Sequence, residues 1–100
     1  MNAELLFSDK YIYADGAIRE MVIWRLPLPD SERPHGLKYR LYYGKSGSCL
    51  VRYDNERGKG DHRHYWRSLA GEIEVEYVWH SVERLIEDFR ADIERIRGGK

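Results

Sequence analysis

Ser81-Val82-Glu83-Arg84-Leu85-Ile86-Glu87-Asp88-Phe89-Arg90-Ala91-Asp92-Ile93-Glu94-Arg95-Ile96-Arg97-Gly98-Gly99 is the stretch that decides the fold class. Val82, Leu85, Ile86, Phe89, Ile93 and Ile96 recur with the 3.6-residue period of an amphipathic helix. Ser81 stands where an N-cap belongs, able to accept from the free N–H groups of the first turn. Glu83 and Glu87 suit the positive end of the helix dipole, Arg95 and Arg97 the negative end, and Gly98-Gly99 stops it. Glu87/Arg90 and Arg84/Asp88 are spaced to pair on the outward face.

A single amphipathic helix must bury its stripe against something, and upstream the period changes from 3.6 to 2. Ile73, Val75 and Tyr77 alternate with Glu74 and Glu76. Cys49, Val51 and Tyr53 alternate in the same way, as do Tyr39, Leu41 and Tyr43 with Lys38, Arg40 and Tyr42. Residues 44–48 between them form a hairpin turn containing Gly47. Residues 17–26 carry apolar side chains on both faces, as a central strand does, and end at Pro27 and Pro29. Asp15-Gly16 is a turn, and residues 27–36, with three prolines, form the longest loop. Residues 54–60 form a second loop, and residues 61–66 are extended again. Residues 1–10 are ambiguous, since Leu5, Leu6 and Phe7 fit a short strand or a helical turn equally well. The expected fold is α+β: an antiparallel sheet of about five strands with the C-terminal helix packed on one face.

One hundred residues suffice for one domain, residues 1–100, and 42% apolar content supports a folded core. No apolar run approaches the roughly 20 residues of a membrane helix, and the N-terminal residues lack the pattern of a secretory signal. Cys49, the one cysteine, cannot form an internal disulfide. The cytosol is the expected compartment, and no membrane partner is expected. Seventeen basic residues balance seventeen acidic ones, which excludes a globally basic nucleic-acid coat but not a local basic site.

Residues 52–67 hold such a site: Arg52, Arg57, Lys59, Arg63 and Arg67 with Gly58 and Gly60 among them. Backbone N–H groups at the glycines and the cations beside them suit a phosphate. The Gly-x-x-x-x-Gly-Lys pattern of a nucleotide-binding loop is absent. On an extended segment, His62 and His64 share a face. Two imidazoles beside cations can pass protons at neutral pH, as RNA cleavage by 2′-hydroxyl attack requires, and no metal is needed. Three other readings stay open: a metal site built from His62, His64 and Asp54 or Asp61, non-catalytic RNA binding, and ordinary surface decoration. Tyr65 or Trp66, whichever points outward, could stack on a base. The other aromatic residues on apolar stripes belong to the core.

Leu5-Leu6, Asp15-Gly16, Ile23-Trp24, the run from His35 to Leu41, and above all Tyr53-Asp54-Asn55-Glu56-Arg57-Gly58-Lys59-Gly60-Asp61-His62-Arg63-His64 together resemble the TumE-type toxin family. Leu85, Asp88, Phe89 and Asp92 are similar as well. The resemblance implies the toxin of a prokaryotic toxin–antitoxin pair, whose antitoxin is expected to be a helix-turn-helix protein. By analogy between toxin families, RNA is the expected target. The expected enzyme is a metal-independent ribonuclease without cofactor. His62, His64, Lys59 and Arg57 are the candidate catalytic residues. Arg63, Asn55, Asp54, Asp61, His35, Lys38 and Arg40 are the candidate substrate-binding residues, with Asp54 or Asp61 orienting a histidine. Self-association into a homodimer is left open.

Overall fold

The computed structural model describes residues 3–56, 60–67 and 71–98. Six strands and one helix follow in order: β1 (Glu4–Ile12), β2 (Ile18–Arg25), β3 (Leu37–Lys45), β4 (Ser48–Asp54), β5 (His62–Arg67), β6 (Gly71–Glu76) and α1 (Val82–Gly98). The strands form one antiparallel sheet in the order of the chain, β1 to β6. The fold class is the expected α+β, but the strand count is six rather than five. The extra strand is β1, where the sequence was ambiguous. Leu5, Leu6, Phe7, Tyr11 and Ile12 remain exposed there. An edge strand buried on neither face shows no alternation to read.

The turns follow from backbone chemistry. Asp15 accepts a hydrogen bond from the Ala17 N–H and closes the β1–β2 turn. Ser46 and Gly47 both have positive φ, which matches a two-residue hairpin to the twist of β3 and β4. In the proline loop, Asp30 takes both the backbone N–H and the guanidinium of Arg33, which is itself buried.

Only one sheet face is covered by a helix. Met21, Ile23, Tyr39, Leu41, Tyr43, Val51 and Tyr53 point to that side and meet Leu85, Phe89 and Ile93 of α1. These three come from the predicted stripe; Ile96, at its far end, stays exposed. Ser81 Oγ accepts from the Arg84 N–H at 3.0 Å, as its N-cap position requires.

Polar contacts fix how the helix sits. Asp92 is 4% exposed and accepts from the Tyr53 hydroxyl; Arg63 and Arg95 lie against it. Burial and the Asp92 carboxylate push the Tyr53 hydroxyl well above its ordinary range, so it remains a donor. One turn earlier, Asp88 accepts from the Tyr77 hydroxyl at 2.6 Å and from Arg84 at 3.0 Å.

Burial works against the charged form of Asp88, but Tyr77 and Arg84 outweigh it and hold its carboxyl below the ordinary range. A depressed carboxyl stabilises the fold above its unfolded value of about 3.9 and loses that contribution as pH falls through the folded value. Asp88→Asn is therefore expected to cost about 1 kcal/mol at pH 7. In urea melts at a series of pH values, the gap from wild type should narrow as pH falls below the ordinary carboxylate range.

Candidate functional site

Strands β4 and β5 pair with Asp54 opposite His62, Arg52 opposite His64 and Tyr53 opposite Arg63. Side chains alternate along a strand, so this register divides the segment cleanly. Tyr53 and Arg63 turn toward α1. Arg52, Asp54, His62 and His64 turn to the face that no helix covers. Cross-strand neighbours extend that face: Arg40 lies opposite Asp54, and Tyr42 opposite Arg52, on β3. Glu76 lies opposite His62, and Glu74 opposite His64, on β6.

The two imidazoles meet edge to face, 4.8 Å between ring centres. His62 Nε2 lies 2.6 Å from Asp54 Oδ1, and His64 Nε2 lies 3.8 Å from the same oxygen. All three residues are buried. Arg52 Nε donates to the other carboxylate oxygen at 3.0 Å. His62 Nδ1 lies 2.9 Å from the Gly60 carbonyl and donates to it. Gly60 has φ of +71°, a conformation that costs glycine little and orients this carbonyl. His64 Nδ1 lies 3.4 Å from Glu72. Burial first, then the Arg52 charge, holds His64 below its ordinary value, so its ring is neutral at pH 7.

An open hollow of about 440 Å³ borders His62 and is lined also by Asp61, Glu74, Val75 and Glu76. Toward the other end of β5, Trp66 is exposed and borders a second hollow with Ser48, Cys49, Leu50 and Glu72. Lys38 on the free face lies over the Trp24 ring, and Arg40 over the Tyr42 ring.

A separate network forms where β3 begins. His35 Nε2 lies 3.1 Å from Asp61 Oδ1, the Tyr39 hydroxyl donates to that oxygen at 2.7 Å, and the Trp79 ring packs 4.0 Å from the His35 ring. Burial and the Asp61 carboxylate push the Tyr39 hydroxyl well above its ordinary range. Leu37 N–H donates to His35 Nδ1, so the other ring nitrogen carries the proton toward Asp61. Asn55, fully buried, continues the ladder after β4 turns away. Its oxygen accepts from Tyr39 N–H, and its amide donates to the Leu37 carbonyl.

The expected site residues thus divide into groups. Asp54, His62 and His64 converge, with Lys38 and Arg40 on the same face. His35, Asn55 and Asp61 form the second network, one residue removed from His62 through the Gly60–Asp61 backbone. Arg63 is on the opposite face, bonded to the Tyr53 hydroxyl at 2.9 Å; the structure does not bring it to the histidines. Arg57 and Lys59 lie outside the described residues. The sequence reading placed Arg52 in the basic stretch without giving it a role, and it overlooked Glu72 as a member of the site. Their positions, two residues before Asp54 and across from Trp66 on β6, were the available signal.

Asn55→Ala would leave the buried Tyr39 N–H and Leu37 carbonyl without partners. A loss of roughly 2–3 kcal/mol is expected, measurable by urea unfolding. Hydrogen exchange at Tyr39 should accelerate in the same variant.

Comparisons with curated proteins and with solved structures give no match. Residues 3–97 match the family model described as Toxin TumE, nearly the whole length of the sequence, and the chain therefore belongs to this family as a toxin of a toxin–antitoxin system with an antitoxin for a partner.

Proposed function

We propose that this toxin is a ribonuclease whose reacting centre is the Asp54–His62–His64 cluster and whose RNA lies along the helix-free face of the sheet. The observation that carries the reading is the convergence of two imidazoles on one carboxylate, on a face that also bears Lys38, Arg40 and Arg52. RNA cleavage by its own 2′-hydroxyl needs a base, an acid and cations for the charge that develops on phosphorus.

Each requirement has a residue. His64, held neutral, accepts the 2′-hydroxyl proton at Nε2, which has no hydrogen-bond partner among the described residues. The O2′–P bond forms and the P–O5′ bond breaks. His62, beside Asp54, gives a proton to the departing 5′ oxygen, and the products are a 2′,3′-cyclic phosphate and a 5′-hydroxyl. Arg52 and Arg40 stand on the β3–β4 side of the pair, where they offset the phosphate charge. Trp66 offers an exposed ring for a base to stack on. His35 acts at one remove: it holds Asp61, and so the Gly60 carbonyl that orients His62.

A second reading of the same residues is a metal-dependent nuclease. It is favoured by Asp54 Oδ1 and His64 Nε2, both buried and both without a hydrogen-bond partner among the described residues.

The test is cleavage of a mixed RNA pool by wild type, His62→Ala, His64→Ala and Lys38→Ala, with and without excess chelator. Wild type is expected to leave cyclic phosphate ends. Each histidine variant should lose at least 100-fold in rate, and Lys38→Ala should weaken RNA binding mainly at low salt. Undiminished cleavage by both histidine variants would remove the cluster from the reaction.

A further inference from the structure

The cluster has an unresolved electrostatic problem. Asp54 Oδ1 is buried and makes no hydrogen bond among the described residues, although His62 Nε2 stands 2.6 Å away. His64 Nε2 is buried and unpartnered as well. Burying such groups unsatisfied costs roughly 1–3 kcal/mol each, so an arrangement that gathers them calls for an occupant. All three ligand-type atoms lie within 4.8 Å of one another.

We infer that Asp54 Oδ1, His62 Nε2 and His64 Nε2 bind one divalent transition-metal ion of the zinc, cobalt or manganese type. The inference deepens the second reading given above, but it concerns occupancy of the cluster and does not require that RNA be the substrate.

Four features converge on it. The first is distance. Bonds of about 2.0–2.2 Å at angles between 90° and 109° place neighbouring ligand atoms roughly 2.8–3.6 Å apart. The two separations from Asp54 Oδ1, 2.6 and 3.8 Å, fall on either side of that range, each within a few tenths of an ångström of it. The second is donor type: two imidazole nitrogens and one carboxylate oxygen suit zinc and its neighbours, whereas calcium and magnesium prefer oxygen alone.

The third is the state of the outward atoms. His62 donates from Nδ1 to the Gly60 carbonyl, which turns Nε2 toward the cluster. His64 Nδ1 faces Glu72, and Asp54 Oδ2 is taken by Arg52, which leaves Oδ1 free to ligate. Ligands whose far atoms are anchored this way are held ready for a metal. The fourth is charge. Asp54, Glu72 and Glu74 surround the pair, against the guanidinium of Arg52. Three protein ligands leave coordination positions for water or a phosphate oxygen, the arrangement of a working rather than a purely structural metal.

The experiment uses the full chain stripped with chelator and dialysed. Calorimetric titration with Zn²⁺ and with Co²⁺ should give one ion per chain, and bound Co²⁺ should show the intensified visible absorption of a low-coordinate site. Asp54→Ala, His62→Ala and His64→Ala should abolish this binding, with circular dichroism confirming that each variant is folded. Glu72→Gln alters a half-exposed side chain and leaves no buried group unpaired; it should weaken binding about tenfold while the cobalt spectrum persists. Lys38→Ala should bind as wild type does. Absence of stoichiometric binding, or binding unchanged in the histidine variants and in Glu72→Gln, would overturn the inference. RNA cleavage by a chain that binds no metal would overturn the inference while leaving the ribonuclease reading intact. Metal binding without RNA cleavage would do the reverse.

Discussion

The register between β4 and β5 is the constraint on which the rest of the structure depends. Asp54 must face His62, and Tyr53 must face Arg63, for the two sides of the sheet to receive the right chemistry. A slip of one residue in either strand would carry its polar set into the core and its core set into water. Tyr53, fully buried against Tyr77 and Phe89, anchors the register from within. The same hydroxyl that meets Asp92 is met by Arg63 from the neighbouring strand. One phenol therefore ties β4 to β5 and both strands to the helix.

The two polar networks are joined by the backbone between them. His35 belongs to the proline loop, far along the chain from His62, yet it holds Asp61 and thereby sets the position of Gly60. That carbonyl then selects which nitrogen of His62 looks into the cluster. Asn55 anchors the other side of the same bend by substituting its amide for a missing rung of the ladder. Loop and site are one mechanical unit, although no side chain of the loop reaches the histidine pair.

Much of the architecture could be read from period alone. The helix, its Ser81 cap and the alternation in β3, β4 and β6 follow from apolar spacing, because burial on one side imposes the pattern. β1 was not legible, since its apolar residues are exposed and carry no period. Asp92 entered the sequence reading only through the family resemblance, with no place in the fold; its burial depends on Tyr53 and Arg63 arriving from the sheet. The convergence of Asp54, His62 and His64 needed the pairing of β4 with β5, which spacing along the chain does not contain. Arg63 is different: the alternation that put His62 and His64 on one face already assigned Arg63 to the other. Grouping it with them followed local charge rather than strand geometry.

Because strand order equals chain order, each strand finds its partner next door in sequence. Such a meander can grow by short closures as the polypeptide leaves the ribosome. The covering helix, however, follows all six strands. Until Leu85, Phe89 and Ile93 emerge, Met21, Ile23, Leu41 and Tyr53 lack the apolar cover of the helix. Translation that stalls before residue 93 leaves a bare adhesive sheet, a client for chaperones and proteases rather than an armed toxin.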